Sequence, residues 1–158
     1  RDPVVRSGRV RPVLMAVFAD SSALVKLYAD EAGHERVRAL EQVVVAQIAR
    51  VEVPAALWRK NRMGELSAGA AAVLVAAFEA DWFGTEQEPR RFEIIRVSAS
   101  VVEDAARLTG VHGLRAHDAM QLATARAVRT ADPGVATFVA FDRALSAAAA
   151  AEGFILAA

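Results

Sequence analysis

Apolar residues follow two periods along this chain. Short β-branched or aromatic runs alternate with longer segments whose apolar positions recur every three or four residues. The first run, Met15 to Ala19, passes directly into an acid, Asp20, and then into Ser21 and Ser22. Ala23, Leu24, Val25 and Leu27 follow at helical spacing, so the stretch reads as a buried parallel strand ending in a carboxylate at a helix start. Gly33 interrupts, and His34 to Glu41 reads as a short amphipathic helix with Val37 and Leu40 inward. Val43 to Ala46 is a second strand. Ile48 to Met63 is a helix whose start near Ala49 to Val53 is set by Pro54, a residue tolerated in the first turn. That start places Glu52 near the helix N-terminus.

Gly64 ends this helix, and Ser67 caps an Ala-rich helix reaching about Phe83. Gly84 to Arg91 is a polar loop, and Phe92 to Val97 is a strand. Ser98 or Ser100 opens a helix to about Leu108, and Gly110 and Gly113 break the chain before a long helix, Ala116 to Ala131. Asp132, Pro133 and Gly134 form a turn. Thr137 to Phe141 is a strand ending in Asp142, then Arg143 to Glu152 is a helix and Phe154 to Leu156 a last strand. Strands alternating with helices predict an α/β domain with a parallel sheet covered by helices on both faces. FADSSALVKL and FDRALSAAA are similar units of strand, terminal Asp and helix. Residues 1–14, with four arginines and two prolines, lack periodicity. They read as a disordered tail or upstream extension, leaving 15–158 as one domain.

Composition narrows the classes. At 158 residues the chain suits one core, and no apolar run is long enough for a membrane span. The lack of Cys removes disulfides and thiolate metal sites and favours the cytoplasm. Nineteen basic residues balance 19 acidic ones, which argues against broad adhesion to nucleic acid while allowing local patches. Of the cations only Lys26 and Lys60 are lysines.

The acids carry the chemistry. Singly, Asp20 and Asp142 read as helix N-caps. Together, two parallel strands bring both to one sheet edge, where ligands of open α/β sheets bind. Asp118 lies among Ala119, Leu122 and Ala123 in a helix expected to be buried, where an ion costs several kcal/mol unless compensated. The helix N-terminus offsets only about 0.3–1 kcal/mol. Glu52, between Val51 and Val53, repeats the pattern, with Arg50 or Arg59 as possible pairing partners. None of the four has an evident basic partner in a local pair. Converging carboxylates raise one another's pKa values unless a divalent cation holds them. Oxygen ligands without Cys or suitably spaced His favour Mg²⁺ or Mn²⁺, and such a site suits phosphoryl chemistry.

DSSALVKLY, RVEVPAALWR, LRAHDAMQLATA and FVAFDRALSAAAAAEG resemble the PIN-domain ribonucleases, and among them the VapC toxins of type II toxin–antitoxin pairs. The resemblance runs from Met15 to the C-terminus. It implies a PIN-like three-layer α/β/α sandwich with a central, mostly parallel sheet. It also implies a Mg²⁺-dependent endoribonuclease, Mn²⁺ substituting, that inhibits translation and growth. Asp20 and Asp118 match the principal metal ligands, Glu52 and Asp142 complete the catalytic set, and Ser22 matches a hydroxyl that supports the first acid. A VapB-type antitoxin, an RNA substrate and a homodimer are the implied partners. Ala140 departs from the family where a hydroxyl often stands, which weakens the expected hold on Asp142, and Gln121 stands where many relatives have His.

Arg115 and Arg143, beside motif acids, are the candidate phosphate contacts. His34, His112 and His117 read as surface or structural residues. Trp58, Trp82 and Phe83 read as core or as an antitoxin or dimer surface, and Leu24, Val25, Leu27 and Tyr28 as helix packing with a share in an antitoxin groove. A receiver domain is disfavoured by the lack of a second acid beside Asp20 and of a late lysine. A haloacid-dehalogenase phosphatase is disfavoured by Ser22, where its second Asp belongs. The remaining alternatives are a housekeeping RNA-processing PIN nuclease without an antitoxin and a non-catalytic module whose acids are caps only.

Overall fold

The computed structural model describes residues 15–157; the expectation for residues 1–14 lies outside them. Five strands, β1 (Val17–Ala19), β2 (Val43–Ala46), β3 (Phe92–Ile95), β4 (Thr137–Val139) and β5 (Ile155–Leu156), form one sheet in the order β3-β2-β1-β4-β5. Every pairing is parallel. The chain builds outward from β1 to β2 and β3, then returns to the other side of β1 for β4 and β5. The switch point between β1 and β4 is where an open parallel sheet leaves a crevice at its carboxyl edge.

Strand alternation divides the core. Phe18, Val44, Ala46, Phe138 and Ala140 enter one cluster with α5 (Ala99–His112), α6 (Ala116–Ala131) and α7 (Arg143–Ala151). Val17, Ala19, Val43, Val45 and Val139 enter the other. Their partners there are α1 (Ser21–Tyr28), α2 (His34–Arg38), α3 (Ala49–Arg62) and α4 (Ala68–Phe83). Both faces of the central strands are therefore covered, as β-branched strands without polar alternation require. The architecture is the expected three-layer α/β/α sandwich.

Several boundaries differ from expectation. β3 and β4 are shorter than their apolar runs because the end of each run leaves the ladder as the connection toward the next helix, whereas β1 lacks Met15 and Ala16 at its start and still ends at Ala19. Helix α5 continues through Gly110 to His112 and ends at Gly113, whose φ of 64° is the left-handed cap that glycine tolerates. Gly110 has open space around it, so helix hydrogen bonding outweighs its modest propensity penalty. Ser98, not Ser100, caps this helix by accepting from the Val101 N–H. Helix α3 starts at the early limit, Ala49, which leaves Pro54 inside it. Leu24, Val25 and Leu27 are buried in the core. They therefore contribute the expected helix packing, while Tyr28 beside them is half-buried.

Candidate active site

The four acids line one open cleft of about 830 Å³ at the carboxyl edge of the sheet. Asp20 leaves β1 and Asp142 lies just beyond β4, adjacent strands of the switch point. Glu52 is in the first turn of α3, after β2, and Asp118 is in the first turn of α6. The cap reading of Asp20 and Asp142 is also correct. Each gives its Oδ1 to a backbone N–H of the following helix, from Ala23 and Leu145 respectively, at 2.9 Å. In both residues the Oδ1 is the capping oxygen.

Asp20 is buried, and Ser22 Oγ lies 2.7 Å from its Oδ1 and 2.9 Å from its Oδ2. The same hydroxyl accepts the Phe141 N–H at 2.9 Å, which joins the β4 exit to the start of α1. Ser22 therefore hydrogen-bonds the first acid and links the two strand ends. Burial pushes the Asp20 carboxyl up to about 6; the Ser22 and backbone hydrogen bonds oppose this, and the nearby Glu52 charge adds to it.

Glu52 does not pair with Arg50 or Arg59 as the sequence allowed. Arg50 reaches across to Glu79 at 2.5 Å. Glu52 Oε2 is held by neutral donors instead, Ser21 Oγ at 2.5 Å and Gln121 Nε2 at 2.6 Å. Neither Ser21 nor Gln121 was a candidate from sequence. The available signal was the buried polar pattern of α6, where Gln121 lies between Met120 and Leu122.

The expectation that no acid has a local basic partner is wrong for two of them. Arg115 Nε donates to Asp118 Oδ2 at 2.9 Å and Arg115 Nη2 to Asp142 Oδ2 at 3.3 Å. The reason is geometric: Arg115 is the N-cap residue of α6, so its long side chain returns over the first turn, three residues on. Asp118, buried as expected, thereby obtains the cation its burial demands. Among the described residues no three His, Cys, Asp or Glu side chains stand as a ready-made metal cluster. Ala140 provides no hydroxyl, and Asp142 is held by its own cap bond and by Arg115. Arg143 is exposed at the first position of α7. His117 is exposed, with Nε2 3.5 Å from Asp118 Oδ1, while His112 at the end of α5 pairs with Glu152 just past α7.

Farther along the cleft, Lys26 and Lys60 converge on Glu31, with Lys60 also 2.8 Å from Glu65. Burial alone would raise Glu31, but hydrogen bonds from Lys60 and Lys26 outweigh it and hold its carboxyl below the usual range. Lys26 also stands 4.3 Å above the Phe141 ring. Arg59 and Arg62 line the same cleft from α3. The cleft lining therefore carries carboxylates and cations together.

The PIN domain family model matches residues 17–151, nearly all of the described chain. The chain belongs to the PIN-domain family. Within it, two curated relatives from Mycobacterium tuberculosis, Ribonuclease VapC45 and Ribonuclease VapC49, are each 33% identical over 141 residues. Each alignment covers 87% of this chain and 91% of the relative, which places this PIN domain in the VapC group. Among solved structures the fold resembles Mycobacterium tuberculosis VapC20, described as a Sarcin-Ricin loop cleaving toxin (TM-score 0.60, 22% identity). That match covers 88% of this chain and 96% of VapC20. PAE2754 from Pyrobaculum aerophilum has the same fold (TM-score 0.60, 20% identity, covering 91% and 85%). FitAcB from Neisseria gonorrhoeae is a third example (TM-score 0.59, 19% identity, covering 89% and 95%). The chain thus has the PIN fold.

Proposed function

We propose that this PIN domain is a divalent-cation-dependent endoribonuclease and the toxin of a toxin–antitoxin pair. The observation that carries the reading is the placement of Asp20, Glu52, Asp118 and Asp142 around one cleft, in a chain whose curated relatives are named ribonucleases. The donor set fits Mg²⁺ or Mn²⁺: it is all oxygen, and it contains a buried carboxylate, Asp20, held by neutral donors beside a second acid. Asp20 and Asp118 would be the principal ligands, with Glu52 and Asp142 completing the set. A divalent cation bound there supplies water activation and charge stabilisation for phosphodiester hydrolysis.

The chain's own residues divide the remaining work. Asp20 and Asp142 use one oxygen each to anchor the following helix, so their positions are tied to the sheet. Arg115 balances Asp118 and Asp142 and would be placed to bind a substrate phosphate if a cation took over that task. A guanidinium that forks between two carboxylate oxygens suits two phosphate oxygens equally well. Arg143, beside Asp142, is a second candidate for the backbone. Lys26, Lys60, Arg59 and Arg62 extend the basic lining away from the acids, consistent with a strand longer than one nucleotide.

Partners follow from the same reading. Val51, Trp58 and Met63 on and just after α3, and Val73 and Phe83 on α4, are exposed. Trp82, by contrast, is buried in the core. This apolar surface supports contact with a VapB-type antitoxin or a second copy, and inhibition of translation and growth is the expected cellular effect. No helix among the described residues is long and apolar enough to cross a membrane, and the proposed place of action is the cytoplasm. The test is cleavage of total RNA by purified protein: cuts with Mn²⁺, none with EDTA, and none by Asp20→Asn. Equal cleavage by Asp20→Asn would defeat the assignment.

A further inference from the structure

Gln121 is an unfavourable residue for the place it occupies. It is 1% exposed on the inner face of α6, among apolar neighbours. A buried amide is costly unless its groups are hydrogen-bonded. Its Oε1 is buried with no hydrogen-bond partner among the described residues. Both hydrogens of its Nε2 are used, one toward Ser21 Oγ at 2.9 Å and one toward Glu52 Oε2 at 2.6 Å. Ser21 Oγ sends its own proton to the same Glu52 oxygen. The orientation of the amide follows from chemistry, since an ionised carboxylate only accepts and must meet the NH₂ end. Packing alone would be served better by an apolar side chain of the same length.

Three elements meet in this ring of hydrogen bonds: Ser21 opens α1, Glu52 is in the first turn of α3, and Gln121 is in the second turn of α6. Two donors on one carboxylate oxygen fix the rotation of the carboxylate. They saturate Oε2 and leave Oε1 without a protein donor among the described residues. We propose that Gln121, seconded by Ser21, is a positioning residue that orients Glu52 so that its Oε1 is presented to the divalent cation. The inference rests on the cation-dependent reading above, and the alternative, a Gln that merely fills space between helices, makes a different prediction.

The experiment is calorimetric titration of Mn²⁺ into the purified, metal-stripped full chain, with thermal melting of each variant as the check on folding. Gln121→Met keeps length and bulk but removes both donors. It should remain folded at room temperature, since the orphaned oxygen is removed together with the two Nε2 hydrogen bonds, and bind Mn²⁺ about 10–100-fold more weakly, as loss of a ligand's supporting hydrogen bond does. Gln121→His, which restores an N–H, should recover most of the affinity. In a Glu52→Gln background, Gln121→Met should change the affinity by less than about twofold, because the ligand it positions is already lost. Ser21→Ala, at the half-buried edge of the ring, provides a second route to the same oxygen and should weaken Mn²⁺ binding without loss of fold. Unchanged affinity in both Gln121→Met and Ser21→Ala, with the wild type binding normally, overturns this inference alone. Failure of the wild type to bind Mn²⁺ overturns the cation reading and this inference with it.

Discussion

Asp20, proposed above as a cation ligand, is unfavourable for the stability of the metal-free fold. Its carboxyl is buried at the end of β1, and its ordinary value of 3.8 is raised to about 6. Below about pH 4 it is neutral in both folded and unfolded chains. Between about pH 4 and 6 the folded chain keeps a proton that the unfolded chain releases, so stability falls as pH rises through that window. Above it the penalty is complete, on the order of 3 kcal/mol. Asn at this position can still cap α1 and carries no charge. In metal-free urea unfolding at pH 7, Asp20→Asn should therefore be more stable than wild type by about 1–3 kcal/mol, and the gain should shrink at pH 4. A variant less stable than wild type at pH 7 would show that the ionised carboxylate is net stabilising.

At this scale the sequence revealed acids more readily than their partners. Asp20, Glu52, Asp118 and Asp142 declare themselves because a carboxylate inside an apolar run is expensive wherever it points. Arg115 was legible as a neighbour but not as the bridge between Asp118 and Asp142, since that depends on how its side chain returns over the first turn of α6. The Ser21–Glu52–Gln121 ring joins residues 31, 69 and 100 positions apart. No local period encodes such contacts.

Among elements, the connection between α1 and α2 controls the wall of the cleft. Gly33 has φ 87°, and a Cβ there would stand 2.6 Å from Cε1 of Phe141. Phe141 is the residue before Asp142, and its N–H is bonded to Ser22. A methyl group at position 33 must push the ring or unwind the loop, and either movement is transmitted to Asp142. Gly33→Ala should cost about 1–3 kcal/mol from the left-handed backbone alone. It should also lower RNA cleavage; a variant of normal melting temperature and activity would show that the loop absorbs the methyl freely.

The elements themselves were largely readable, because parallel strands buried on both faces form continuous β-branched runs and helices form amphipathic stripes. Ser67 was identified as a cap from its place before an apolar helix. The errors came at glycines and at strand ends. Gly110 looks like a breaker in isolation, but α5 packs against α6 along its length and carries it. Strand limits depend on where the neighbouring strand stops pairing, as β4 does after Val139.

For the whole molecule, the sheet order decides where the acids gather. Building outward from β1 in both directions leaves the crevice between β1 and β4, and the acids following β1, β2 and β4, with that of α6, collect there. On the proposed reading, Arg59 and Arg62 in the cleft lining would offer further contacts to a polyanion. RNA binding by a cleavage-inactive variant should weaken as salt rises, each neutralised phosphate contributing about −0.7 to the log–log slope for a single strand. Removing the Arg115 guanidinium with Arg115→Gln should reduce that slope by about the contribution of one contact. An unchanged slope would place Arg115 outside the phosphate path.

The central claim is that these four acids together hold the divalent cation on which RNA cleavage depends. Its most direct test is Mn²⁺ titration of wild type and Asp118→Asn, with RNA cleavage measured on the same samples. The account predicts saturable Mn²⁺ binding and Mn²⁺-dependent cleavage by wild type, and loss of both in a folded Asp118→Asn protein. Cleavage by wild type in EDTA, or full binding and cleavage by Asp118→Asn, would contradict it.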